Sequence, residues 1–146
     1  MKFTNVVTID RPPAEVFAYL ARFENIPRWN YAISETRKLT SAPVGVGARY
    51  RQHRTIPSPS DEEFEVVEFE PDRRLSVDGD LAVFHGRVSY ALESAGDATT
   101  LTNTMDLRAS GPANLVAQLA SRRVQAAVAA NLDVLKELLE RGISRT

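Results

Sequence analysis

The chain has 146 residues, of which 43% are hydrophobic and 25% charged, and it carries a formal net charge of −1. This composition predicts one soluble globular domain, residues 1–146, and the absence of cysteine excludes disulfides and thiolate chemistry. Residues 1–60 carry a net charge of +5 and residues 61–80 a net charge of −7, so neighbouring runs neutralise one another and nucleic-acid binding is not expected.

The N-terminal part of the chain predicts a strand followed by short helices. "FTNVVTI" is rich in β-branched residues and predicts a strand that ends near Asp10. "RPPAEVFAYLARF" predicts a helix capped by Asp10, because prolines are tolerated in a first helical turn. The segment "FENIPRWN" contains the only tryptophan, and we expect Pro27 to end a short helical piece there.

The middle of the chain predicts short strands separated by turns. "ISETRKLT" precedes "ARYRQHRTI" and "EEFEVVEFE", which are predicted to form two arms of a hairpin, and these are followed by "RRLSVDG", "AVFHGRVSYALES" and "TTLTNTMDLRA". This spacing is typical of an antiparallel meander rather than of βαβ units. Opposite charges on the two hairpin arms are expected to pair across the strands. Apolar residues on both faces of the second arm predict a β-bulge near Val66.

The last predicted element is one long helix. We expect it to begin at Gly111-Pro112 and to end at Gly142, with a break or bend in the first turns because Leu115 and Leu119 lie off its apolar stripe. That stripe consists of Ala117, Ala120, Val124, Val128, Asn131, Leu135 and Leu138.

An antiparallel sheet with one apolar face needs a cover, and only the terminal helix is long enough to provide it. We therefore predict an α+β fold in which an antiparallel sheet of about six to seven strands curls around a long C-terminal helix. Two short helices are expected after the first strand.

Four stretches carry a resemblance to a known superfamily. They are "VVTIDRPPAEVFAYLARFENIPRWN", "GVGARYR", "FEVVEFEPDRRL" and "NLDVLKELLE". With this element order, the chain resembles the SRPBCC superfamily of START-like, helix-grip proteins, in particular the polyketide cyclase/dehydrase-like branch. The resemblance implies a helix-grip fold whose sheet and long helix enclose a deep, mostly apolar cavity for lipids, polyketides or other hydrophobic molecules.

Strand alternation predicts which side chains face this cavity, since apolar members mark the inward face of each strand. Polar residues that share those faces are drawn inward with them, and they need either protein partners or a ligand. Trp29 is expected at the cavity rim or beneath it, as a structural plug or as part of a lid with Ile26 and Tyr31. The candidate ligand-binding residues are Trp29, Tyr50, Gln52, Arg54, Phe84, Tyr90, Asn103, Met105, Val128 and Asn131.

Two polar candidates have a structural alternative. Arg54 is expected to pair with a carboxylate such as Glu68, or else to contact a ligand. Asn131 is expected to bond a neighbouring carbonyl, or else to contact a ligand. Gly86 among bulky residues indicates either a bulge or room for a ligand.

The same alternation places His53 and His85 on the solvent side, and no metal or cofactor is predicted. The leading hypothesis is binding or transport of a small hydrophobic molecule. The alternative is a polyketide cyclase/dehydratase-type enzyme in which Arg54, Tyr90 and Asn103 stabilise the substrate. An interaction module that uses the outer sheet surface is disfavoured by the charged outer faces.

The sequence has no secretory signal and no apolar run of the ~18 residues that a membrane span requires. We therefore expect a cytoplasmic protein without stable membrane association, present as a monomer or a homodimer.

Overall fold

The computed structural model describes residues 1–109 and 119–142. The described elements confirm an α+β fold with short helices after the first strand and a long helix at the end. In chain order they are β1 (Lys2–Ile9), α1 (Pro13–Ala21), a 3₁₀ turn (Phe23–Asn25), α2 (Ile26–Trp29), β2 (Ile33–Lys38), β3 (Arg49–Arg54), β4 (Ser60–Glu70), β5 (Arg74–Leu81), β6 (Phe84–Ala95), β7 (Ala98–Arg108) and α3 (Ser121–Glu140).

Seven antiparallel strands form one sheet in the order β1-β7-β6-β5-β4-β3-β2. Strands β2 to β7 follow the chain as a meander, and β1 pairs with β7, from Lys2 opposite Asp106 to Ile9 opposite Thr99. Because β1 and β2 lie at opposite edges, the chain between them crosses from one edge to the other, and α1 and α2 lie in that crossing.

Strands β4, β5, β6 and β7 approach one another closely at a pair of glycines. Gly79 lies opposite Gly86. A Cβ on Gly79 would lie 2.4 Å from the Glu63 carbonyl oxygen, and a Cβ on Gly86 would lie 2.0 Å from the Asp106 carbonyl oxygen. Only glycine permits this close approach of neighbouring strands. Pairing is continuous through Gly86 on both sides, so the bulge considered for that position is absent.

The hairpin of β3 and β4 has the predicted charge pairing and bulge. Arg49 and Arg51 both donate to Glu63, at 3.0 Å each. The register between β4 and β5 shifts between Val66 and Glu68, which confirms the bulge near Val66. Because a bulge adds one residue to a strand, the alternation of inward and outward side chains along β4 is reversed after it.

Helix α3 covers the concave face of the sheet. Leu132, Leu135 and Leu139 are buried, and all three belong to the main hydrophobic core. The predicted stripe contained Leu135 but not Leu132 or Leu139, so the buried face is wider than the stripe.

The predicted break in the terminal helix is confirmed. Leu119 is helical, Ala120 is in a turn, and α3 begins at the next residue. The helix ends as predicted near Gly142, which adopts a φ of +80°. The expected start at Gly111-Pro112 and the position of Leu115 lie outside the described residues.

Two predictions at the first helices are wrong. Pro12, not Asp10, precedes α1, and no side chain caps it. The Asp10 amide instead donates to the Glu140 carboxylate at 2.8 Å, which ties the end of β1 to α3. Pro27 lies in the first turn of α2 and begins that helix rather than ending one, because its missing N–H would have no partner there anyway.

Candidate functional site

A cavity of about 600 Å³ lies between the sheet, α2 and the N-terminal half of α3. Its walls are mostly apolar. Helix α3 lines it with Val124, Ala127 and Val128 together with Arg123 and Asn131, whereas the C-terminal half of α3 fills the core with leucines. The void therefore follows from the sequence of α3: small residues in its first half leave space that leucine would occupy.

The cavity brings together most of the predicted site residues. Gln52 and Arg54 come from β3, Phe84 and Tyr90 from β6, and the remainder from α2, β7 and α3. The predicted residues that line it are Trp29, Gln52, Arg54, Phe84, Tyr90, Met105, Val128 and Asn131.

The structure does not bring Tyr50 or Asn103 to this cavity. Tyr50 faces inward as predicted, but it stacks on Phe64 at 5.2 Å between ring centroids and packs against Phe23 at 4.8 Å. Those two rings lie between Tyr50 and the space. Burial, followed by the charge of Glu24, raises the pKa of Tyr50 to about 12. Asn103 is fully buried, and its amide donates to the Ser89 carbonyl at 3.4 Å.

Arg54 forms a buried ion pair, but with a different carboxylate from the one expected. Its Nε donates to Glu62 Oε2 at 2.6 Å and its Nη2 to Glu62 Oε1 at 3.1 Å, with side chains only 8% and 2% exposed. Glu68 instead accepts from Ser76 at 2.8 Å. The β-bulge explains the difference, because Glu62 lies before it on the inward face and Glu68 lies after it.

Sequence reasoning missed Glu62 as a member of the site. The signal was present, since Glu62 alternates with Phe64 and Val66 on one face, and the hairpin register places it opposite Gln52. When the acidic residues of β4 are treated as one charged segment, the buried member, Glu62, is not recognised as part of the site.

The ion pair joins two loops. Glu62 Oε2 also accepts from the Ala82 amide at 2.5 Å, and Arg54 Nη1 donates to the Ile56 carbonyl at 3.4 Å. Ala82 has a φ of +55°, which a residue with a side chain rarely adopts. The Glu62 carboxylate thus stabilises the strained β5–β6 turn while Arg54 holds the chain after β3.

Exposed apolar side chains mark the mouth of the cavity. Tyr31, Ile56 and Val83 are 64%, 46% and 66% exposed, and all three line the cavity. They come from the chain after α2, the chain after β3 and the β5–β6 turn. Trp29 is buried behind them, contributes to the main core and lines the cavity as well.

Polar side chains from β3 and α3 lie among the apolar walls. Gln52 and Asn131 both line the cavity, and their amide oxygens, Gln52 Oε1 and Asn131 Oδ1, are buried and accept no hydrogen bond from the described residues. Burial raises the pKa of the Tyr90 phenol above its usual range. A few placed polar groups among apolar walls are typical of a small-molecule site.

The histidines lie on the outer surface as predicted. His53 Nδ1 is 2.9 Å from Asp61, and His85 Nδ1 is 3.0 Å from Asp80. Within residues 1–109 and 119–142, no group of three or more acidic or histidine side chains is placed to hold a metal ion. No helix in the same ranges has the length and hydropathy of a membrane span.

A sheet curled around one long helix, with an apolar cavity between them, defines an SRPBCC, helix-grip protein. The chain belongs to the family described as polyketide cyclase / dehydrase and lipid transport, which matches residues 1–140.

Three solved structures with the same fold share little sequence with this chain. A protein from Thermus thermophilus is 16% identical with a TM-score of 0.78, over 94% of this chain and 95% of that one. The Zhui aromatase/cyclase from Streptomyces sp. R1128 is 14% identical with a TM-score of 0.78, over 98% and 95%. BexL, a di-domain ARO/CYC from the BE-7585A biosynthetic pathway, is 18% identical with a TM-score of 0.75, over 96% of this chain and 46% of BexL. No curated protein sequence matches this chain.

Breaking the buried ion pair tests its role in the site. Arg54→Met leaves the Glu62 carboxylate buried without a cation, so we expect the free energy of unfolding to fall by about 3–5 kcal/mol in urea denaturation. Arg87→Met is the matched control, because Arg87 binds Asp78 with nearly the same geometry, 2.7 and 3.1 Å, on the exposed face. This change should cost less than about 1 kcal/mol. If the two substitutions lowered the free energy of unfolding equally, the assignment of Arg54 and Glu62 as a buried ion pair would be contradicted.

The control pair also has a defined pH dependence. The hydrogen bond from Arg87 holds the pKa of Asp78 below its usual value. A depressed folded-state pKa gives stability that is present above the unfolded pKa and is lost as the pH falls through the folded one. The small loss in the free energy of unfolding that Arg87→Met causes should therefore disappear in acid.

Proposed function

We propose that this protein binds and carries a small, largely apolar molecule in the cavity between α3 and the sheet. The observation that supports the proposal is the cavity itself: about 600 Å³, with mostly apolar walls and a few polar side chains among them. The volume falls within the roughly 300–1,000 Å³ of typical small-molecule sites. The family description names both lipid transport and polyketide chemistry.

The exposed apolar side chains at the mouth support entry of a ligand there. Large apolar groups on a protein surface commonly mark a binding groove or an interaction site. Here Tyr31, Ile56 and Val83 line the same space as the buried walls, so apolar surface is continuous from solvent to the interior. Trp29 forms part of this path, as a plug, a lid or both.

Filling the cavity from α3 tests the proposal. Ala127→Phe places a ring in the space that Ala127 lines, so we expect the affinity for N-phenyl-1-naphthylamine, an uncharged fluorescent probe, to fall at least about tenfold. Ala126→Phe is the matched control, since Ala126 is exposed on the same helix and does not line the cavity.

Thermal unfolding of both variants checks that each is folded. If the wild-type protein binds no probe, or if Ala127→Phe binds it as tightly as Ala126→Phe does, the cavity is not the binding site and the proposal is wrong.

A cyclase/dehydratase-type enzyme is the second candidate. The placement of Tyr90 in the cavity wall favours it, because a phenol can donate a hydrogen bond to a ketone oxygen as an enolate forms. The aromatase/cyclases of similar fold support this second candidate through structural similarity only. Arg54 is less suited to this role than expected, since its charge is neutralised by Glu62.

Turnover of a synthetic poly-β-ketone thioester distinguishes an enzyme from a carrier. If the protein is an enzyme, cyclised product forms faster than without protein, and Tyr90→Phe slows it at least about tenfold through loss of the hydrogen-bond donor. Tyr19→Phe is the control, because it removes a buried, unpartnered tyrosine hydroxyl from a residue that does not line the cavity. Equal rates with and without protein would exclude this activity.

A further inference from the structure

The exposed apolar side chains at the cavity mouth belong to three separate segments of the chain. Tyr31 follows α2, Ile56 follows β3, and Val83 lies in the β5–β6 turn, yet all three line one cavity. Leu119, which is 87% exposed, directly precedes Ala120 of the cavity wall. Singly exposed apolar residues are common on protein surfaces, but their convergence from distant segments around one opening indicates a surface that meets another apolar phase.

The charged groups around this opening favour an anionic partner. Arg123 lines the cavity, and Arg122 precedes it on α3. Arg28 lies on α2, which packs against α3. All three arginines are exposed, and none forms an ion pair within residues 1–109 and 119–142. Asp80 is the one acidic residue among the described wall residues, and its carboxylate lies 3.0 Å from His85 Nδ1. The mouth therefore carries an excess of positive charge.

The shape of the mouth suits a lipid surface better than a protein. The apolar side chains stand on separate segments around an open cavity, whereas a stable protein interface has a continuous, closely packed core. The head-group region of a bilayer accepts isolated apolar side chains, and anionic lipids attract the arginines beside them.

We propose that the mouth docks reversibly on an anionic lipid bilayer, with its exposed apolar side chains in the head-group region and its three arginines against lipid phosphates. This inference rests on the proposed carrier function and adds the surface from which the cargo is loaded. Apolar surface is continuous from the mouth to the interior, so a docked protein exchanges an apolar molecule with the bilayer without exposing it to water.

Co-sedimentation with phosphatidylcholine vesicles, with and without phosphatidylglycerol, tests the inference. We expect binding to vesicles that contain phosphatidylglycerol, weaker binding to pure phosphatidylcholine, and weaker binding to both as salt is raised. Val83→Glu places a charge in the docked surface and should lower the partition coefficient at least about tenfold. Val46→Glu is the matched control and should bind as wild-type protein does. Val46 is 70% exposed against 66% for Val83, and it lies in the β2–β3 connection, at the opposite end of β3 from Ile56.

A second pair of variants tests the charge. Arg123→Gln should lower the preference for phosphatidylglycerol vesicles at least about twofold, because each arginine near the surface adds to the attraction of anionic lipids. Arg73→Gln removes the same charge from an exposed residue of the β4–β5 turn, away from the mouth, and should leave that preference unchanged.

The outcomes separate this inference from the carrier function. If wild-type protein binds neither kind of vesicle, or binds both equally, the inference is wrong, and this comparison needs no variant to fold. The inference is also wrong if Val83→Glu binds as Val46→Glu does, or if Arg123→Gln matches Arg73→Gln. If size-exclusion chromatography shows a dimer that Val83→Glu dissociates, the mouth contacts a second copy of this chain and not a bilayer. Binding of N-phenyl-1-naphthylamine without vesicle binding leaves the carrier function standing, and loss of both overturns both.

Discussion

The contact between α3 and the concave face of the sheet determines most of this structure. The sheet has one apolar face, and α3 is the long helix that covers it. Leu132, Leu135 and Leu139 pack that contact at one end, whereas alanines and valines at the other end cannot fill the distance between helix and strands. Close packing at one end holds the helix at a spacing that leaves a cavity at the other. The cavity is thus encoded by side-chain size along one helix.

Buried hydrogen bonds among Arg54, Glu62 and Gln52 add a polar region to these apolar cavity walls. A bidentate Arg54–Glu62 pair inside a protein is expensive to desolvate, and it persists here with every Glu62 oxygen engaged. The pair holds two of the loops that form the mouth and fixes the direction of the Gln52 amide. One carboxylate therefore links the strained turn at Ala82 to Gln52 and Arg54, two polar residues that line the cavity. A carrier and an enzyme would both use this environment, and they differ in whether Tyr90 acts on the bound molecule.

Much of the fold was predictable from the sequence, since alternation and helical periodicity reflect which faces are buried. The inward faces of β3, β6 and β7, the bulge near Val66 and the helix break at Ala120 follow from such patterns. The limits are equally physical. Alternation assigns a face but not the neighbour that fills it, so Phe23 and Phe64 separating Tyr50 from the cavity could not be foreseen. The partner of Arg54 depended on strand register across a bulge, which a local pattern does not determine.

The central claim is that the interior holds a small organic molecule. Native mass spectrometry of protein purified without detergent or organic solvent tests it most directly, because a cavity ligand survives gentle ionisation as a complex. The account predicts a population heavier than the bare chain by the mass of one small molecule, which is released on collisional activation. A single species at the mass of the bare chain, unchanged after incubation with excess N-phenyl-1-naphthylamine, would contradict it.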